Sequence, residues 1–434
     1  MTGWSLLSEG RRRALRSLVP AHFALFRADP NGFEYSDLEG KALPDRHYYL
    51  ASLAKAWTGL VARKCMSDWP GLLTAPLDEI LPELPPGLTL TRLLTMDLGG
   101  SGKGAAQFGF GPHLTASQRL ERWSARDEFG EGFIYHNGCY VAAALALERH
   151  FGEPFAQLVR TRICEAYSIG EPAFFPSAPS GARAPAYWRG NQRLAVPFLA
   201  HANSLGAGGL FANPATLGQW LQLSLAELPS PDSPGTVVTD TAWAERYGFG
   251  WFQGDVDGRK VACHSGSGPG YGLFALIFPE EQRAFAAYSE HHRSLAVAAC
   301  TALAVEEGWL KQSHLDTALQ TARRYCNVQP RSTKPFRLPS KATGAFLNEE
   351  AGLMTIESSE TATRIAFADC PASNGLLAVD DAGTVHINFD NPAARHDPDP
   401  DERLTLDIGA DCVRVDFYGD FRRVGDPGRA INSH

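Results

Sequence analysis

Between residues 247 and 289 the chain passes through four short runs of strand-forming residues, Tyr247 to Phe252, Lys260 to Cys263, Leu273 to Phe278 and Ala284 to Tyr288. Glycine, proline and aspartate turns divide them. Runs this short and this closely joined can pair only through tight turns, which predicts an antiparallel sheet. The apolar run Ser294 to Leu310 follows at once and predicts a helix lying on that sheet, with Leu315 to Tyr325 as a second, amphipathic helix. Near the start, residues 21 to 40 read as a hairpin around the turn Asp29-Pro30-Asn31-Gly32. From 65 to about 230 the pattern is mostly helical, including Val141 to His150 and Ala215 to Leu228, with Pro- and Gly-rich loops between. The whole is an α/β (α+β) reading.

The character changes late in the chain. Residues 328 to 341 are rich in proline, serine and basic side chains, and 342 to 422 hold short alternating segments such as Leu353 to Glu357, Thr363 to Phe367, Val385 to Phe389 and Cys412 to Phe417. The expected organisation is therefore a main domain over 1–327, a linker over 328–341, and a small all-β, barrel-like domain over 342–434. No repeat suggests a solenoid or propeller.

Bulk properties narrow the function. With 48 acidic against 40 basic residues the net charge is -8, so the molecular field repels a phosphate backbone and nucleic acid is not expected as a partner. Arg11, Arg12 and Arg13 read as a solvated helix face. No apolar run is long enough to span a membrane, and Glu9 with the three arginines interrupts any secretory signal, so a cytoplasmic location is expected. Eight cysteines stand singly, with no Cys-x-x-Cys and no ligand spacing for a metal, as buried thiols of an intracellular protein would. No cofactor is called for.

Several motifs can be set aside. Gly99-Gly100-Ser101-Gly102-Lys103 lacks both the first glycine and the final hydroxyl of a phosphate loop, those places being Asp97 and Gly104. Asp397, Asp399 and Asp401 open like a calcium loop, but prolines intervene, Glu402 replaces the glycine and Ile408 the final carboxylate. There is no Gly-x-Ser-x-Gly and no His-Glu-x-x-His.

The positive candidate is Ser52-Leu53-Ala54-Lys55, the one place where a lysine stands three residues after a serine. Leu53, Ala56, Trp57, Leu60 and Val61 predict a helix from Ser52 to about Lys64, so the hydroxyl sits near a positive helix end and the amine shares its face. That is an arrangement for an activated nucleophile.

YYLASLAKAWTGLVA followed by APLDEILPELPPGLTLTRLLT resembles the nucleophile region of the β-lactamase-like, penicillin-recognising serine hydrolases, the superfamily of class C β-lactamases, DD-peptidases, D-aminopeptidases and esterases. FIYHNGCYVAAALALERHFG is similar to its Tyr-x-Asn motif and following helix, GAGGLFANPATLGQWLQL to a further segment, and YGFGWF with CHSGSGPGYGLFALIFPE to the strand pair of the third motif. Together these cover roughly residues 21 to 290. Single triplets are not specific: Tyr325-Cys326-Asn327 also fits Tyr-x-Asn, and His136-Asn137-Gly138 and His150-Phe151-Gly152 also fit His-x-Gly. Order selects Tyr135 and leaves Tyr325 as a packing or surface residue.

The resemblance implies a β-lactamase/transpeptidase-like antiparallel sheet flanked by helices, with an all-helical region. It implies Ser52 as nucleophile, Lys55 and Tyr135 as proton-handling partners, Asn137 beside them, and an oxyanion hole from the backbone N–H groups of Ser52 and Ser267. His264, Ser265 and Gly266 form the third motif, where His264 would position a substrate carboxylate or polar group and Gly266 would let substrate approach the strand. Histidine in place of the lysine of many β-lactamases points to the peptidase and esterase branches, and Met96-Asp97-Leu98 replaces the family's histidine and serine after Leu-Leu-Thr.

The expected substrate is a small-molecule ester, thioester or amide, with an ester or amide of a hydrophobic metabolite the leading choice, hydrolysed through an acyl-enzyme on Ser52. The alternatives are acyl transfer or cyclisation, a D-amino-acid-specific peptidase, and a binding protein without activity. Phe174, Phe175, Tyr187, Trp188 and Phe198 fall in the Pro-rich segment 171 to 201 and read either as packing or as an apolar substrate wall, with Trp188 the chosen probe.

Overall fold

The computed structural model describes residues 5–99, 114–126, 128–175, 179, 181–189, 191–195, 204–230, 232–239, 243–268, 270–326, 334–348, 352–368, 374–379, 383–389, 406–409, 412–415 and 419–424. An eight-stranded antiparallel sheet forms its centre, from β1 (Phe23–Asp29), β2 (Gly32–Asp37), β3 (Thr236–Val237), β4 (Arg246–Gly248), β5 (Trp251–Val256), β6 (Arg259–Gly268), β7 (Gly270–Phe278) and β8 (Arg283–His291). Their order across the sheet is β2-β1-β8-β7-β6-β5-β4-β3, so the N-terminal hairpin is added to the far edge of the late meander. The continuous run Tyr247 to Phe252 is broken in the structure. Phe249 and Gly250 turn the chain there with φ of 52° and 85°.

The sheet is buried on both faces, and side chains alternate between two cores as the period of two requires. On β7, Leu273, Ala275 and Ile277 enter the core shared with the helical region. Phe274, Leu276 and Phe278 enter the opposite core, against the helices that follow β8. Two buried faces explain why these strands read as unbroken apolar runs.

Five helices position the site: α1 (Ala54–Cys65), α2 (Asn137–Phe151), α3 (Pro214–Glu227), α4 (Arg293–Glu306) and α5 (Gln312–Cys326). Trp57 of α1, Trp220 of α3 and Trp251 of β5 stack in series, at 5.8 and 5.7 Å with planes within 10° of parallel, and tie the nucleophile helix to the sheet. The approach is closest where the turn before β5 meets α1. A Cβ on Gly250 would lie 2.3 Å from the Ala56 nitrogen, and one on Gly59 2.2 Å from the Phe249 carbonyl oxygen.

The last part of the chain has its own core of Phe346, Met354, Ile356, Ile365, Leu377, Val413 and Phe421. Its strands pair antiparallel from 334–335 through 375–379, 363–367, 352–358, 344–348, 419–424 and 412–415 to 406–408, with 385–389 also on 375–379. Among the described residues the ladders form an open path and not a closed barrel, with no pairing that joins 406–408 to the other end. The acidic turn at Asp397, Asp399 and Asp401, the loop from Gly100 to Lys103, and residues 328–333 of the expected linker lie outside the described residues. Among the described residues no helix is long and apolar enough to cross a membrane.

Candidate active site

Ser52 sits in a 3-10 turn, Ala51–Leu53, that runs directly into α1. Ala51, just before it, has a φ of 44°, a left-handed conformation that costs an alanine about 1–2 kcal/mol. Lys55 is completely buried one turn on, with Nζ 3.0 Å from Ser52 Oγ, 2.8 Å from Asn137 Oδ1 and 3.0 Å from the Ala207 carbonyl oxygen. Burial pushes the Lys55 amine down to about 7.

The surroundings offer three oxygens, which suit an ammonium donating to Ser52 Oγ, Asn137 Oδ1 and the Ala207 carbonyl oxygen, and which also suit the neutral amine that burial favours. A neutral amine has two N–H donors and one lone pair. The two carbonyl-type oxygens of Asn137 and Ala207 take the two donors, which leaves the lone pair facing the one neighbour able to donate, the Ser52 hydroxyl.

Tyr135 lies in the extended segment before α2, whose first turn is capped by His136 through Nδ1 accepting from the Gly138 N–H at 3.0 Å. The helix therefore begins at Asn137, earlier than its apolar pattern suggests. The Tyr135 hydroxyl is hydrogen-bonded to Ser52, and burial raises its pKa well above the ordinary tyrosine range against the opposing pull of that bond and of Arg293. Lys55 Nζ lies 5.0 Å from the centre of the Tyr135 ring. Burial thus drives the two groups apart, the amine toward neutrality and the phenol toward staying protonated.

β6 forms the opposite wall. His264 is buried, its Nδ1 lies 2.6 Å from the Ser265 carbonyl oxygen, and burial followed by the nearby Lys55 lowers it to about 3. A carbonyl only accepts, so Nδ1 carries the proton and the ring is neutral. The Gly266 expectation is corrected in its reason. A Cβ there would meet the Leu50 carbonyl oxygen at 2.1 Å, so the missing side chain lets β6 press on the chain that delivers Ser52. The pairing of β5 with β6 ends at Phe252↔Cys263, so residues 264 to 268 run past it.

Ser52, Tyr135, His264, Ser265 and Ser267 line one cavity of about 490 Å³. Its other walls are Phe133, Phe252, Val237 and Val238 on the apolar side and Thr239 and Arg293 on the polar side. Arg293 was missed in the sequence because it opens α4, far along the chain, with no motif around it. Among the described residues no three His, Cys, Asp or Glu side chains converge as a metal site requires.

Trp188 does not line this cavity. Its Nε1–H donates to Glu290 Oε2 at 2.9 Å and its backbone N–H to His291 Nδ1 at 3.1 Å. Arg183 and Arg193 reach the same Glu290 carboxylate. The apolar wall of the cavity is made by Phe133, Phe252, Val237 and Val238, and Trp188, expected there, instead fastens the 186–195 hairpin to β8. Phe174 and Phe175 pack on the core beside the helical region. The Tyr187 side chain and Phe198 lie outside what is described. Tyr325 stacks on His292 at 4.4 Å, apart from Ser52.

The family model described as Beta-lactamase matches residues 30–306 of the chain. No curated protein sequence matches it. Among solved structures, the octameric penicillin-binding protein homologue from Pyrococcus abyssi is 16% identical, with 94% of this chain and 98% of that one covered and a TM-score of 0.57. The D-amino acid amidase from Ochrobactrum anthropi SV3, complexed with L-phenylalanine amide, is 14% identical over 73% and 100%, with a TM-score of 0.55. A class C beta lactamase from Rhodobacter sphaeroides is 16% identical over 69% and 99%, with a TM-score of 0.54. At these identities the likeness is one of fold.

Proposed function

The chain belongs to the Beta-lactamase family, serine hydrolases with a mixed fold of helices and antiparallel sheet, and from that premise we propose that it cleaves an ester or amide of a small molecule through an acyl-enzyme on Ser52. The observation that carries the reading is the donor and acceptor arrangement around Lys55. Two fixed acceptors hold its N–H groups at 2.8 and 3.0 Å, which aims the lone pair at the Ser52 hydroxyl.

In this mechanism Lys55 takes the Ser52 proton as Oγ attacks the carbonyl, and Tyr135, kept protonated by burial, delivers a proton to the departing group. Backbone N–H groups of Ser52 and Ser267 face the developing oxyanion, each worth about 3 kcal/mol in acyl-transfer sites. The support for this pair is that both residues line one cavity, where β6 has run past its β5 partner. Lys55 then passes the proton it took to the Tyr135 phenolate and is neutral again, so that when water enters and attacks the acyl carbonyl Lys55 takes the water's proton and returns it to Ser52 Oγ as the acyl group leaves as the acid.

The substrate carries an apolar group against Phe133, Phe252 and the two valines, and an anionic or acceptor group within reach of Arg293. Neutral His264 accepts a hydrogen bond more readily than it binds a carboxylate, so Arg293 takes the anionic role first assigned to the histidine. The described cysteines are free thiols, which supports a reducing, cytoplasmic setting for the reaction. A fluorophosphonate probe with mass-spectrometric mapping tests the proposal. Labelling is expected on Ser52 and to vanish in Ser52→Ala; a modified serine elsewhere in the wild-type protein would overturn it.

A further inference from the structure

A second cavity, of about 530 Å³, adjoins the first, and Arg293 lines both. The chain segment after β3 also borders the two, with Val238 and Thr239 on the first and Trp243 on the second. From Arg293 the second cavity follows one face of α5, touching Tyr325, Thr321, Ala318 and His314 in turn. Those residues recur every three or four places, so they form a single stripe, and the eleven steps from His314 to Tyr325 rise about 16 Å. The space is a trench leading away from Ser52.

Its walls are largely apolar. Val297 of α4 faces Ala318 of α5 across it, Trp243 stands edge-on to the His314 ring at 6.0 Å, and Tyr325 lies flat on His292 at 4.4 Å. Two carboxylates also line it and both are engaged, Asp257 with Lys311 and His314 at 2.9 Å and Asp255 with Lys260 at 3.7 Å. Arg293 can serve as a threshold, since an arginine presents a hydrocarbon stem beneath its charged head.

We infer that the trench is a subsite for the tail of a linear, largely apolar acyl chain, whose carbonyl sits at Ser52. This rests on the acyl-enzyme reading above and narrows its substrate class to acyl groups longer than the first cavity holds. The continuity through Arg293 is the argument for a substrate tail over an unrelated ligand.

The test is kcat/KM for p-nitrophenyl acetate and p-nitrophenyl dodecanoate, in which only the acyl end changes, on wild type, Thr321→Trp and Thr317→Trp. Thr321 and Thr317 both line the trench and are exposed on α5, so a tryptophan at either adds bulk to the trench without entering the core. Wild type is expected to prefer the dodecanoate by at least about tenfold. Both tryptophan variants should lose most of that preference while acetate turnover stays within about twofold. Acetate and dodecanoate turned over alike by wild type, or a dodecanoate preference untouched in both variants, overturns the trench and leaves the hydrolase reading standing. Absence of all ester turnover together with absence of probe labelling at Ser52 overturns the hydrolase reading, and the trench inference falls with it.

Discussion

Lys55 and Glu290 are both completely buried, yet they end in opposite chemical states. Around Lys55 the polar neighbours are a hydroxyl, an amide oxygen and a backbone carbonyl, with no carboxylate to offset burial, and the amine falls to about 7. For Glu290 burial by itself would raise the pKa, but hydrogen bonds from Arg193 and Trp188 and the charges of Arg193 and Arg183 outweigh it and hold the carboxyl below its usual range. A buried charge without a counter-charge becomes a reagent. One that is ringed by counter-charges becomes a fastener, and here it fastens the 186–195 hairpin to the sheet.

The contrast can be broken most sharply at Lys55. Lys55→Met should lower turnover of an ester substrate by about two to four orders of magnitude and should not lower the melting temperature, because the cost of burying an amine goes with it. The gain in stability should depend on pH in a stated direction. The folded-state value of about 7 lies below the unfolded one, so between pH 7 and about 10 the unfolded wild type binds more protons and wild-type stability rises with pH. The melting-temperature advantage of Lys55→Met is therefore largest below pH 7 and shrinks above it; calorimetry showing the reverse trend would refute the assignment. Tyr135→Phe should cost turnover in the same range, and Tyr325→Phe, which loses only a hydroxyl away from Ser52, almost nothing.

At Glu290 the prediction is inverted. Glu290→Gln leaves two arginines facing an uncharged amide and should cost about 3–5 kcal/mol of stability, read by denaturant unfolding. The protein that remains folded should keep its turnover within a few-fold. A loss of turnover as large as that of Lys55→Met, with stability unchanged, would mean that the two sites have been assigned the wrong way round.

The smallest effect sharpens the comparison within the active site. With Lys55 as base, log kcat/KM should rise by one for each pH unit up to about 7 and then level off. Neutral His264, lowered to about 3, adds no inflection near neutrality. A bell-shaped profile with a falling limb near pH 8 would assign a second titrating group that this geometry does not contain.

What could be read in the sequence follows the same division. Ser52 and Lys55 were legible because a spacing of three puts them on one helical face, and Tyr135 and Asn137 because motif order picks Tyr135 over Tyr325. Glu290 and Arg293 were not, since Glu290 lies on β8 and Arg293 opens the helix that β8 leads into, and the pairing of β8 with β1 and β7 is a property of the whole sheet. Trp188 was misjudged because an aromatic beside prolines looks the same whether its indole N–H meets a carboxylate or its ring meets a substrate. The break after Gly248 was hidden by Phe249, a bulky residue at positive φ whose strain is borne by the helix packed against it.

Ala51 bears on when the site is ordered. A residue held at a φ of 44° behind the nucleophile has few conformations to visit, and the Leu50 carbonyl beside it is pinned by β6 at Gly266. The freedom of the attacking alcohol is thus surrendered as the chain folds, before any substrate arrives. On the proposed mechanism, binding energy from the apolar wall and Arg293 would then be left to orient the substrate alone, so that collisions with a well-placed carbonyl would need no further rearrangement of the protein.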